Sequence, residues 1–429
     1  MLRSTLGCLL LVALLLPAGL AAASDAQLAS DDRIAELERK LEVLSEELER
    51  TRTAMAVPES PALESDHGLG PAASKVYRLT SGLSLGGYAE GIYTAYVADK
   101  GSNRNEIDLL RLVLYAGYKF TDRIVFNSEI EFEHAGEEVS VEFATLDFLL
   151  ADWANARVGL LLVPMGFVNE IHEPPFYFGT HRPDVERRIL PSTWRENGLG
   201  LFGTLLGETI EYRLYGVNGF DASGFSASGL RGGRQKGSEA LAEDFAFVGR
   251  LDWKPLPELL LGVSGYVGNA GQDQIDAGTG LALPDALTAL WEAHAQVRWR
   301  GLHLRGLFTR ATVEQADRLN AALGTAPGSA GIAEEMLGAY AEIAYDVWQW
   351  LAPDSEMTLE PFYRYEWVDT QQTAASGYVR DETQRNHSHT VGVSYKPIPN
   401  VVLKADYRNV KAQQGSPADE INLGIGLVF

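Results

Sequence analysis

Thiols are almost absent. The single cysteine, Cys8, lies inside an N-terminal stretch that reads as a secretory signal: Arg3 supplies a positive start, Leu6 to Leu16 an apolar run, and Ala21-Ala22-Ala23 a small-residue cleavage site. With residues 1–23 removed and the mature chain starting near Ser24, no cysteine remains. That excludes a disulfide scaffold and a thiolate metal centre. Cys8 precedes the end of the apolar run, so a lipoprotein anchor is not expected, and the run is shorter than the roughly 20 residues a spanning helix needs. Beyond it no apolar stretch of about 18 residues or more occurs, which excludes membrane-spanning helices. Basic residues are scarce too. Lys and Arg number 36 against 58 Asp and Glu, a formal charge of −22, and this argues against a nucleic-acid partner.

What is present falls into three regions. Residues 24–56 carry heptad spacing, with Ile34, Leu37, Leu41, Leu44 and Leu48 on a coiled-coil seam and Glu and Arg on its flanks. A helix this short is marginal alone, so it is expected to associate, and a homotrimer suits it. Residues 57–76 read as a linker, because Pro58, Pro61, Gly68, Gly70 and Pro71 oppose any regular element. From residue 77 to 429 the period becomes 2. Ile124, Phe126, Ile130 and Phe132 alternate with Asn127, Glu129, Glu131 and Glu133, and Trp291, Val297 and Trp299 alternate with Glu292, His294 and Arg298. One face meets lipid and the other water, as the strands of a transmembrane barrel require.

Sixteen such spans can be marked: 82–98, 105–120, 122–134, 137–151, 155–163, 197–206, 208–218, 244–254, 258–268, 287–300, 301–314, 334–351, 355–369, 386–397, 400–411 and 418–429. The number is even, as a closed antiparallel barrel of one bacterial chain requires, and short and long connections alternate. The fold expected is therefore an all-β transmembrane antiparallel barrel preceded by a short coiled-coil helix. Short turns belong on the periplasmic side, which places the coiled coil in the periplasm.

The connection 164–197 is unusually aromatic, charged and proline-rich, with Pro164, Pro174, Pro175, Pro183 and Pro191. A long loop of that kind is expected to fold inward and narrow the lumen. Arg182, Arg187, Arg188 and Arg195 would bring positive charge to the constriction, with Glu170, Glu173 and Glu186 beside them. Parity places Arg111, Arg213, Arg250, Arg298, Arg305, Arg364 and Arg408 on the lumen wall, together with Glu129 and Glu131. Tyr and Trp residues, including Tyr88, Tyr115, Trp253 and Trp291, are assigned to the interface girdles.

Motifs for catalysis fail on context. Gly82-Leu83-Ser84-Leu85-Gly86 matches G-x-S-x-G but lies on a strand with no following helix. His172-Glu173 begins a zinc-protease motif, yet Phe176 stands where the second histidine belongs. His387 and His389 share a strand face without a convergent third ligand. Neither a cofactor nor a metal nor an enzymatic activity is expected.

The stretch NEIHEPPFYFGTHRPDVERRILPSTWRENGLG, with the coiled-coil start and the barrel length, resembles the phosphate-selective porin superfamily. Within it the chain looks closest to trimeric, coiled-coil-bearing porins that pass organic anions such as dicarboxylates. The resemblance implies an inward loop whose basic residues attract anions, here Arg182, Arg187, Arg188 and Arg195. The lysine ladder of phosphate-selective members has no counterpart, since Lys119, Lys254 and Lys404 are scattered. The expectation is a bacterial outer-membrane channel for passive diffusion of small polar or anionic solutes, in contact with membrane lipid and lipopolysaccharide. The competing reading is a plugged structural or adhesive barrel anchored through its coiled coil.

Overall fold

The computed structural model describes residue 33 and residues 35–47, 63–352 and 355–429. The chain forms two units, Met1–Ala56 and Val57–Phe429. In the first, residues 35–47 are helical, and Leu37, Leu41 and Leu44 are all exposed in the single chain. Ile34 and Leu48 of the expected seam lie outside the described residues.

The second unit is a closed antiparallel barrel in which each strand pairs with its sequence neighbours and β1 (Gly82–Ala98) closes on β16 (Asp419–Val428). Closure gives every strand a hydrogen-bonded neighbour on both sides and leaves no open sheet edge, which a strand wall in lipid requires. Between them run β2 (Glu106–Thr121), β3 (Ile124–Glu133), β4 (Glu138–Ala151), β5 (Ala154–Leu162), β6 (Arg195–Leu205), β7 (Ile210–Asn218) and β8 (Phe245–Leu256). The circle continues with β9 (Leu259–Gly268), β10 (Thr288–Trp299), β11 (Leu302–Val313), β12 (Ala333–Tyr345), β13 (Thr358–Ala374), β14 (Arg385–Ile398) and β15 (Val401–Ala412). Alternation places Leu423, Ile425 and Leu427 outward and exposed, while Asn422 is buried inside. Arg300 (φ 49°) and Gly301 (φ 79°) join β10 to β11 in two residues, both with the positive φ that a tight hairpin of this hand demands.

Three local expectations change. The linker region is not irregular throughout: Pro71–Arg78 is a helix, with Pro71 at its start, where a missing N–H costs nothing. It packs on the luminal side of β1, β2 and β3. The span expected as 334–351 divides, because β12 stops at Tyr345 and Trp348–Leu351 forms a helical turn. Tyr88 and Tyr115 are not girdle residues. Both are buried inside the barrel, Tyr88 against His172 and Tyr115 against Phe143. Trp253 and Trp291 are exposed, in keeping with an outward face.

Candidate functional site

The lumen is built around the inner loop, residues 163–194 between β5 and β6, and the strand begins earlier than expected, at Arg195. Wall side chains fasten this loop at many points of the circumference. Arg213 donates to Glu170 at 3.0 Å, and Arg250 donates to the Gly166 carbonyl. Arg364 donates to the carbonyls of Phe178 (3.3 Å) and His181 (3.0 Å), and its Nε to Glu366 (2.9 Å). Thr180 donates through both N and Oγ1 to Asp406, at 2.7 and 2.8 Å. Asp184 pairs with Arg408, and Tyr177 OH donates to Glu90. Because these groups come from both sides of the barrel, the loop crosses the lumen.

Apolar packing holds the other half of the loop. Trp194 stacks on Phe220 with centroids 4.5 Å apart, and Met165, Ile189 and Leu190 join Leu230, Leu283 and Leu319 from the long connections. The outer loops therefore fold onto the inner loop and form a dry core within the barrel mouth. Two arginines that the sequence reading missed clamp the loop's carbonyls. Arg231 donates to Ser192 O at 2.6 Å, and Arg234 to Ser192 O and Thr193 O at 2.9 and 2.8 Å.

Wall glycines set the approach distance. A Cβ at Gly426 would meet Pro174 Cβ at 2.3 Å, and one at Gly424 would meet Thr180 Cγ2 at 3.0 Å. Gly117 does the same for the luminal helix, where an added Cβ would fall 2.7 Å from Val76 Cβ. That helix is tied at both ends. Ala72 N donates to Glu173 Oε1 (3.0 Å), Asn127 to Ala73 O (2.8 Å), Lys119 to Tyr77 O (2.9 Å) and Tyr77 OH to Asp147 (2.7 Å). Arg157 completes the anchor with two bonds of 2.8 Å to Asp147.

Several loop groups carry shifted acidities. Burial drives His172 down to about 3, helped by Arg182, so the ring is neutral and its 2.9 Å contact with Glu129 is a hydrogen bond rather than an ion pair. Burial pushes the Glu173 carboxyl up to about 8. It also raises Glu186, which accepts from Phe167 N, Val168 N and Tyr340 OH. For Asp184 burial acts upward too, but Arg408 and Arg187 outweigh it and hold the carboxyl below its ordinary value.

Three cavities follow one another beside the loop. A vestibule of about 450 Å³ at the long-loop end is lined by Arg111, Tyr177, Arg182, Arg187, Arg231 and Arg408, with Glu106, Asp108, Asp184 and Glu420 among them. A small middle cavity of about 120 Å³ shares Tyr177 with it and adds Phe176, Arg298, His303, Arg305 and Lys396. A third, of about 570 Å³, opens at the short-turn end and shares Phe176, Arg298 and Arg305.

The candidate arginines thus divide. Arg111, Arg213, Arg250, Arg364 and Arg408 lie on the wall as parity implied, and each pairs with carboxylates. Arg182 and Arg187 reach the vestibule; Arg187 pairs with Asp184 at 2.9 Å. Arg188 turns away to Gln384, and Arg195 stands on β6 paired with Glu142 at 2.6 Å, so neither lines the vestibule. Glu170 and Glu186 fasten the loop, and Glu173 meets the luminal helix. Glu131 binds Arg111 at 2.8 Å. Among the described residues, Arg182, Arg231, Arg298, Arg305 and Lys404 have no carboxylate within ion-pair distance. His387 and His389 are on the outer face, each accepting or donating at 2.7 Å with a tyrosine hydroxyl, Tyr365 and Tyr363 respectively.

The comparisons with known proteins bear on this barrel. No family model matches the chain. Over 374 residues it is 38% identical to an uncharacterized protein of Aquifex aeolicus (strain VF5), covering 83% of this chain and 82% of that one. The chain belongs to the family of that protein. Among solved structures it is similar to a loop L8 deletion mutant of OmpT, an outer membrane protein of Vibrio cholerae, with a TM-score of 0.52 at 13% identity, covering 82% of this chain and 100% of that one. It is similar as well to the anion-selective porin from Comamonas acidovorans, with a TM-score of 0.51 at 12% identity and coverage of 81% and 100%. These likenesses concern the fold: a porin-like outer-membrane barrel of 16 strands.

Proposed function

We propose that the protein is a passive channel for small polar solutes with a preference for anions. In this reading the short turns face the periplasm and the N-terminal helix lies there, joining three copies as a coiled coil. The same reading places the chain nearest the coiled-coil-bearing branch of the phosphate-selective porin superfamily. The observation that carries it is the division of the luminal cations. Arg111, Arg187, Arg408, Arg213 and Arg250 on the cavity walls are matched by carboxylates, whereas Arg182, Arg298 and Arg305, which have no carboxylate partner, line the three successive cavities beside them. An uncompensated guanidinium in a confined, wet space attracts anions and repels cations.

The test is single-channel conductance and reversal potential of the full protein in a planar bilayer under a KCl gradient. The expected result is conductance in steps of three with chloride preferred, and a fall in that preference in Arg182→Gln and Arg298→Gln but not in Arg188→Gln. Cation preference in the unsubstituted protein would overturn the anion assignment. A second reading, a plugged structural barrel, is favoured by the luminal helix and by the inner loop's ties to both sides of the wall. It predicts no conductance from a correctly folded barrel.

A further inference from the structure

Lys404 is placed where an ammonium is costly. It projects inward from β15, is 5% exposed, and its Nζ forms neither a hydrogen bond nor an ion pair among the described residues. What it has is the face of Tyr177, whose ring centroid is 3.6 Å from Nζ. Tyr177 is itself 3% exposed and is the residue shared by the vestibule and the middle cavity. Its hydroxyl is latched to Glu90, which also receives Arg111 at 3.1 Å. A buried cation needs compensating charge or donors' partners, and an aromatic face supplies only part of it.

We propose that the Tyr177 ring is the gate between the two ends of the lumen, and that the Lys404 ammonium it covers is the transfer site for a small anion in passage. The proposal rests on the channel reading above. On the vestibule side an anion meets Arg182; on the far side Arg298 and Arg305 line the middle cavity. Lys404 lines neither cavity as the ring stands; it lies beneath Tyr177, the residue the two share. Swinging the phenol off Glu90 uncovers the ammonium, and the arriving anion replaces the ring as its partner. Glu90 keeps Arg111 when the phenol leaves, so the movement strands no carboxylate. The loop backbone need not travel, because Thr180, three residues on, stays pinned to Asp406.

The experiment uses the full chain in planar bilayers, with chloride as the probe anion. Tyr177→Ala is expected to raise unit conductance about twofold or more while keeping the anion preference. Lys404→Met, which keeps the stem and removes the charge, is expected to lower chloride over potassium selectivity. Should Lys404→Met fail to fold, Lys404→Cys provides a second readout: an anionic thiosulfonate should modify it about tenfold faster when Tyr177→Ala is also present. Equal conductance in Tyr177→Ala and the unsubstituted protein, or equal modification rates with and without the ring, would overturn the gate. Current from Tyr177→Ala alone supports it and shows a closed resting state. Cation-selective current that still rises in Tyr177→Ala keeps the gate and removes the role of Lys404. No current from either protein overturns the channel reading, and the gate falls with it.

Discussion

Replacing Tyr77 with Ala is expected to release the luminal helix from the wall. The side chain is 9% exposed, and its hydroxyl donates to the buried Asp147 at 2.7 Å. Losing the buried ring costs about 2–3 kcal/mol. Losing a hydrogen bond to a charged acceptor costs about 1.5–3 kcal/mol more. Asp147 keeps both bonds from Arg157, so no orphan charge adds to the total. The docked helix is then weaker by about 4–5 kcal/mol, roughly a thousandfold in the ratio of docked to undocked states. The assay is thiol labelling at Ser74→Cys, since Ser74 is fully buried and the only native cysteine is Cys8. When redocking outpaces labelling, the rate reports the undocked fraction. A thousandfold acceleration in the Tyr77→Ala background is the expected result. A change below about tenfold would refute the reasoning, because the remaining ties could not then be a minor share of the docking energy.

Gly426→Val is expected to lift the inner loop, since even a Cβ would lie 2.3 Å from Pro174; trypsin cleavage after Arg187 or Arg188 in the folded barrel measures it, and Gly91→Ala, with its nearest contact at 3.4 Å, serves as the silent control. Trp194→Ala removes the Phe220 stack and a fully buried ring, at a cost of about 3–5 kcal/mol that the urea midpoint of the folded barrel reads; Trp253→Ala, on the exposed face, should shift it far less. The Glu173 contact with the helix should depend on pH. Because burial raises this carboxyl to about 8, its stabilising share is complete below the ordinary value of 4.5 and is lost as pH rises through about 8. Ser74→Cys labelling, corrected for thiolate content, should therefore accelerate over that window, and Glu173→Gln should flatten the profile.

Strand pattern was the legible part of the sequence. Alternation alone placed all 16 strands, most within two residues of their ends, because lipid on one side and a polar lumen on the other enforce period 2. It overran at Tyr345, because Trp348 and Trp350 prolong the aromatic, strand-like composition although they break the outward parity of Ile343 and Tyr345 and the backbone turns helical. Tyr88 and Tyr115 were misplaced because aromatic type suggested the girdle, while parity with Glu90 and Glu129 pointed inward; the lumen takes aromatic rings because the loop and helix fill it. The inner loop was recognisable from its prolines and charges, but which of its arginines reach the vestibule was not. Arg182, Arg187, Arg188 and Arg195 look alike in sequence, and only the positions of Glu142, Asp184 and Gln384 separate them. Arg231 and Arg234 had no signal of their own, since each depends on what the loop brings to it; parity turned Lys404 toward the lumen but could not show the Tyr177 ring over it.

The place of the luminal helix also bears on how the barrel can close. It ends at Arg78, a few residues before β1 starts at Gly82, and β1 is one lip of the seam that closes on β16. Its partners Lys119, Asn127 and Asp147 lie on β2, β3 and β4, and Arg157 on β5 and Glu173 of the inner loop complete the berth, all ahead in sequence of the strands at the other end of the sheet. Closing the seam afterwards seals the helix in without threading.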